Sequence, residues 1–262
     1  MSNTLITILG ICFIFLMTTL GSTLVYFFKD KPSGKLNTMF LGFASGIMIA
    51  ASVWSLLLPA IEMSEEMGKL KFLPAFIGFM IGGLFLVALD KLLPHIHKGT
   101  NLEEGPKSNF KKSTKLFLAV TIHNIPEGLA VGFAFGAASV IGTQAAFLSA
   151  LGLAVGIGIQ NFPEGTAVAL PIVSNGGSKN KAFLFGTLSG AVEPVAAVLG
   201  YFLAAGLEVV QPWLLSFAAG AMIFVVAEDL IPDSKLEDHP HLGTWGVMIG
   251  FALMMVLDVA FG

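Results

Sequence analysis

Apolar residues run along this chain in long blocks separated by short polar punctuation. Spanning the hydrocarbon core of a bilayer takes about 20 predominantly apolar helical residues. Breaking the blocks at charges, Gly and Pro leaves eight stretches of that kind: 4–28, 36–61, 72–93, 116–138, 144–171, 182–206, 213–231 and 243–261. The expected fold is an all-α polytopic membrane protein with eight transmembrane helices. It forms one transmembrane domain over residues 1–262, with one longer connector at about 94–115. The even count places both termini on the same side.

Composition excludes a soluble domain. Of 262 residues 55% are hydrophobic and 12% charged, against roughly 25% charged in a soluble protein. Cys12 is the one cysteine and lies inside the first apolar block, so no disulfide framework forms within the chain.

Charge adds orientation. All 14 basic residues are lysines. The connectors 29–35, 94–115, 172–181 and 232–242, with their edges, carry every lysine except Lys69 and Lys71. Lysine marks the cytoplasmic side of short loops, so both termini are expected outside. The opening MSNTLITILG has no basic residue ahead of its apolar block, and Lys29, Lys31 and Lys35 follow it. A secretory leader has the reverse order, so the first block reads as a retained helix. The connector HIHKGTNLEEGPKSNFKKSTK (95–115) is expected to be cytoplasmic and mobile.

Polar residues at membrane depth supply the candidate chemistry. The fourth stretch contains HNIPEGLAVG (123–132), the fifth QNFPEGTAVA (160–169) and the sixth SGAVEPVAA (189–197). An Asp at the centre of a span costs roughly 2.5–3.5 kcal/mol on insertion scales, so such residues point to function. The candidates are His123, Asn124, Glu127, Gln160, Asn161, Glu164 and Glu193. At about 100° per residue, Glu127 projects between His123 and Asn124, one turn on. Glu164 projects likewise between Gln160 and Asn161. If the two helices face each other, the glutamates bridge two sites, one with His123 and Gln160, the other with Asn124 and Asn161.

Pro126, Pro163 and Pro194 each remove a helix hydrogen bond near these residues. Breaks of that kind are tolerated where a cavity or neighbouring groups satisfy the backbone. Gly128, Gly132 and Gly136, with Gly152, Gly156 and Gly158, are expected to let spans four and five approach closely. A single buried polar residue is most often glue between helices. Three glutamates with no lysine in their spans would repel one another, and a cation is the simplest compensation.

Other polar groups carry blander readings. His95, His97, His239 and His241 are expected to be solvated loop histidines, with hand-off of a cation at the cytoplasmic mouths as the alternative. Glu228 and Asp229 read as interfacial anchors, with lining of an exit path as the alternative, and Asp90 as a local ion pair with Lys91.

HNIPEG, QNFPEG and the EP step of the sixth span resemble the signature of the ZIP (Zrt/Irt-like) divalent metal transporters, in the order and spacing of the compact prokaryotic branch. The resemblance covers essentially the whole chain. It implies that His123, Asn124, Glu127, Gln160, Asn161, Glu164 and Glu193 form a binuclear metal site midway along an import path. It also implies a multi-pass protein of the bacterial inner membrane, a homodimer, and an elevator motion of spans one, four, five and six against two, three, seven and eight. Several relatives carry Asp where this chain has Asn161. A His-Glu pair frequent on their span seven is Ala227-Glu228 here.

The expected function is uptake of a divalent cation into the cytoplasm, Zn²⁺ first, with Fe²⁺, Mn²⁺ or Cd²⁺ also suited to an oxygen-rich set holding one imidazole. The cation is cargo rather than cofactor. The expected partners are that cation and the lipid bilayer, with no nucleic acid. The alternative from another class is an intramembrane zinc-dependent hydrolase, since His123 and Glu127 stand one turn apart. The HExxH motif is absent and His123 is the only histidine at membrane depth, whereas such a zinc takes three protein ligands and a free water with a separate general base.

Overall fold

The computed structural model describes residues 2–27, 34–96, 103–174, 176–235 and 240–261. Lys29, Lys31, Lys98, His97 and His239 lie outside the described residues. Eight helical spans run as α1 (Asn3–Tyr26), α2 (Gly34–Glu62), α3 (Phe72–Leu92), α4 (Lys112–Ile141), α5 (Gln144–Ser174), α6 (Lys179–Gly206), α7 (Glu208–Ser234) and α8 (His241–Phe261). Each falls within a few residues of a stretch expected from hydropathy. Apolar side chains such as Phe76 and Leu84 on α3, Leu199 and Phe202 on α6 and Val256 and Val259 on α8 point outward. They form the lipid-facing surface of an integral membrane protein.

Between α3 and α4 the chain forms a short antiparallel pair, β1 (His95–Ile96) and β2 (Glu103–Glu104), with His95 opposite Glu104. This pair packs on α4. Lys115 is buried there, its Nζ 2.6 Å from Glu103 Oε2. The described parts of the connector are therefore anchored to the helices, and α4 begins four residues earlier than hydropathy suggests. Hydropathy ends where lysines begin, but Lys112 and Lys115 continue the helix because β2 supplies a carboxylate partner.

The spans associate in two groups of four. The tightest pairs are α1 with α5 and α4 with α6 in one group, and α2 with α8 and α3 with α7 in the other. Glycines explain these pairs. A methyl group added at Gly128, Gly132 or Gly136 of α4 would run into the backbone of α6 at Glu193, Ala197 or Tyr201. Gly21 and Gly165 do the same between α1 and α5, Gly46 and Gly250 between α2 and α8, and Gly82 and Gly220 between α3 and α7. Small residues let helix backbones touch where no hydrophobic force draws them together.

This corrects the expectation that the α4 and α5 glycines bring those two helices together. The α4 glycines serve α6. Gly152 and Gly156 of α5 receive the Phe261 and Met254 side chains of α8, and Gly158 receives Phe13 of α1. What brings α4 beside α5 is the turn between them. Gly142 ends α4 at φ 74°, its N–H bonded to Ala138 O at 2.9 Å, a left-handed cap that reverses the chain at once.

Two spans contain widened, π-helical turns, Ala51–Leu57 in α2 and Val226–Leu230 in α7. A proline follows each by two residues, Pro59 and Pro232. A proline ring clashes with the carbonyl four residues back. Here the helix accommodates it by bonding Leu58 N–H to Val53 O and Ile231 N–H to Val226 O, one residue further back than an α-helix does.

Candidate metal centre

The three polar motifs meet where α4, α5 and α6 pack around the C-terminal half of α1. Pro126 and Pro163 stay inside continuous helices, so neither breaks its span. The sixth span does break: a turn at Ala191 separates Lys179–Gly190 from Val192–Gly206. Glu193 thus sits in the first turn of a new helix segment, where the exposed N–H dipoles favour a negative charge.

Asn124, Glu127, Gln160, Asn161 and Glu193 are completely buried, each at 0% exposure. Gln160 Nε2 donates to Glu127 Oε1 at 2.7 Å, joining α5 to α4. Asn161 Nδ2 donates to Glu193 Oε2 at 2.7 Å, joining α5 to α6. Asn124 Nδ2 donates to the Ser189 carbonyl at 2.9 Å, just ahead of the turn in α6. Each carboxamide therefore spends its donor side on an acceptor from another helix and keeps its oxygen for something else.

Those oxygens define the site. Asn124 Oδ1, Glu127 Oε2, Gln160 Oε1, Asn161 Oδ1 and Glu164 Oε2 are buried and accept no hydrogen bond. A buried polar atom without a partner costs about 1–3 kcal/mol, so five on two facing helices make a costly arrangement. A divalent cation, which takes oxygen ligands, relieves it, and the donor set fits one. Among the described residues no three His, Cys, Asp or Glu side chains gather as a ready-made cluster. The carboxamides interleave the glutamates and hold them apart.

A cavity reaches the site from one side. A cavity of about 60 Å³ is lined by His123, Glu164, Asp229 and Asp233, with Leu41, Ile96 and Leu116 among the apolar walls. Every one of these elements lies at the end of the molecule that bears the lysine-rich connectors. His123 and Glu164 are the two site residues that are not fully sealed. On the other side, Val131, Leu153 and Ile157 follow within one or two turns, each at most 1% exposed.

Three residues for which a blander reading was expected come to this region. Asp229 is buried, and its Oδ2 lies 3.0 Å from His123 Nε2. Regular α-helical register makes Glu228 and Asp229 two interfacial neighbours. The π-helical turn over Val226–Leu230 instead leaves Glu228 exposed and turns Asp229 inward. Of this adjacent pair, the residue that α7 brings to the cavity is therefore Asp229, one turn before Asp233. Asp90 pairs with His95 across 3.4 Å rather than with the exposed Lys91. His95, 1% exposed, is not a solvated loop histidine, because the β1–β2 pair folds it under α4 with Nδ1 2.9 Å from Leu93 O. His241 is exposed as expected. The sequence signal for Asp229 was Pro232, which like Pro59 follows a π-helical turn. Pro126 and Pro163 sit in regular α-helix, so a proline in a span does not by itself mark a shift of register.

Comparison with known proteins agrees with the motifs. A family model described as ZIP zinc transporter matches residues 4–116 and 113–258. "Zinc transporter ZIP11" of Homo sapiens is 36% identical over 97% of this chain and 97% of its own length. "Zinc transporter GufA" of Myxococcus xanthus is 38% identical, covering 85% of this chain and 86% of its own. "Zinc transporter ZupT" of Escherichia coli O81 (strain ED1a) is 32% identical over 89% and 90% respectively.

Proposed function

The chain belongs to the ZIP zinc transporter family, a family of transporters rather than enzymes, and from that premise we propose that it carries Zn²⁺ into the cytoplasm through a paired cation site at mid-membrane. Zinc is the substrate, not a resident cofactor. The site consists of His123, Asn124, Glu127, Gln160, Asn161, Glu164 and Glu193, with Glu127 and Glu164 each facing both cation positions. Fe²⁺, Mn²⁺ and Cd²⁺ are secondary substrates of the same oxygen-rich set.

The observation that carries this reading is the group of five partnerless oxygens on α4 and α5, in spans with no lysine near them to pair. Inward direction is supported by the cavity, which reaches His123 and Glu164 from the lysine-bearing end, while a cavity at the opposite end stops at Leu153, with Val131 and Ile157 buried between it and the site.

The two groups of spans support an elevator-type motion. Within each group, backbones touch through glycine. Between groups, at Gly152 and Gly156, the nearest neighbours are side chains. Backbone-close pairs have no freedom to slide, whereas a side-chain seam can re-form one turn along. The group α1, α4, α5 and α6 would carry all seven site residues past a frame of α2, α3, α7 and α8.

Uptake of labelled zinc into vesicles containing the purified protein tests the reading. Uptake should fall to background in Glu127→Ala and Glu164→Ala at unchanged protein level. Near-normal uptake by either variant would defeat the bridging assignment, and absence of zinc flux in the unmodified protein would defeat the function.

A further inference from the structure

Glu193 is held from two helices, and one of its holders lies on a span that sequence motifs pass over. Thr18 of α1 is completely buried. Its Oγ1 donates to Glu193 Oε1 at 3.1 Å, while Asn161 holds the other carboxylate oxygen. Thr18 Oγ1 also lies 3.3 Å from Ile14 O, the carbonyl one turn back on its own helix. Asn161 Nδ2 reaches that same carbonyl at 3.4 Å. Two donors, Thr18 and Asn161, thus share two acceptors, Glu193 and Ile14 O.

The hydroxyl has one proton, so it serves one acceptor at a time. While Glu193 is ionised and free of a cation, donation to it is the stronger bond, because a charged acceptor roughly doubles the strength of a hydrogen bond. When a cation draws off that charge, the same proton can turn to Ile14 O and leave nothing unpaired. A valine or alanine has no such alternative donor. The local packing is made for this threonine: a methyl group at Gly190 would strike Thr18 Cβ and Cγ2 and Glu193 Oε1, so glycine there admits the contact.

We propose that Thr18 is a positioning residue of the cation site, holding the Glu193 carboxylate in its cation-ready orientation from α1 and yielding it as a cation binds. It touches no substrate itself. The proposal rests on the reading of Glu193 as a cation ligand. It gives α1 a role in the site beyond packing on α5, through a residue outside all three polar motifs.

The test is zinc uptake in vesicles together with zinc titration of the purified protein. Thr18→Val keeps the shape and removes the donor. It should raise the half-saturation concentration about tenfold, the equivalent of about 1.4 kcal/mol, with little change in maximal rate or melting temperature. Thr18→Ser keeps the donor and loses a methyl group, and it should bind zinc like the unmodified protein. Unchanged half-saturation in Thr18→Val, or equal impairment in Thr18→Ser, would overturn the proposal, the second by showing that only packing matters.

A double-mutant comparison separates this proposal from its premise. In a Glu193→Ala background Thr18→Val should have no further effect on zinc affinity, since the acceptor it holds is gone, and simple addition of the two losses would overturn the proposal. If Glu193→Ala lowers affinity and Thr18→Val does not, Thr18 alone is refuted. If Glu193→Ala binds zinc normally, the assignment of Glu193 as a ligand falls, and Thr18 with it.

Discussion

Asn161 gives its side-chain amide to Glu193, Nδ2 to Oε2 at 2.7 Å, so a neutral group from α5 occupies one face of the α6 carboxylate. Replacing that amide by a carboxylate would set two negative charges at hydrogen-bond distance in a fully buried position. At low dielectric such a pair is strongly repulsive unless something positive lies between. Asn161→Asp should therefore bind a second zinc ion more tightly and release it more slowly. Titration calorimetry with metal counting should find one tight ion and one weak ion in the unmodified protein, and two tight ions in the variant. Two equally tight ions before the substitution, or no change after it, would show that Asn161 does not govern the second position.

Asp229 stands between the site and the lysine-bearing end, in contact with His123. A cation leaving His123 through the cavity meets this carboxylate next. Asp229→Asn should lower the maximal uptake rate more than it alters half-saturation, and Glu228→Gln, at an exposed neighbour, should change neither. Rate curves for the two variants check this. Equal effects of both would remove Asp229 from the path.

Gly132 lies against the Ala197 backbone, so Gly132→Ala must push α4 away from α6 and shift Glu127 relative to Glu193. Overpacking of this kind typically costs about 1–3 kcal/mol. The variant should melt several degrees lower in detergent and transport poorly. Gly206→Ala, where an added methyl group meets nothing within 4 Å, serves as the silent comparison. Equal melting temperatures for the two would mean that the α4–α6 contact can relax without cost.

Orientation is open to direct measurement. Asn109 is exposed in the connector between α3 and α4. Asn109→Cys in a Cys12→Ala background should resist a membrane-impermeant thiol reagent applied outside intact cells and react once the membrane is opened. Rapid labelling from outside would invert the topology and the proposed direction of transport.

The eight spans could be read directly from the chain because solvation by lipid is a local property: a block of apolar residues must be helical there, whatever surrounds it. The candidate residues were legible for a related reason. A glutamate or asparagine at membrane depth is costly wherever the helix points, so His123, Asn124, Glu127, Gln160, Asn161, Glu164 and Glu193 stood out before any neighbour was known. Which helix faces which is a different kind of fact. The glycines of α4 announce a close approach, but only the packed structure shows that α6 rather than α5 receives it. Asp229 turns inward because Pro232 widens the helix ahead of it, and a register counted at about 100° per residue does not survive a π-helical turn. His95 is buried because a strand pair folds it under α4, and Thr18 meets Glu193 across 175 residues of chain. The sequence determined which groups are costly in lipid, since that depends on each segment alone. Only the tertiary structure decided which group answers which, since that depends on contacts between segments distant in the chain.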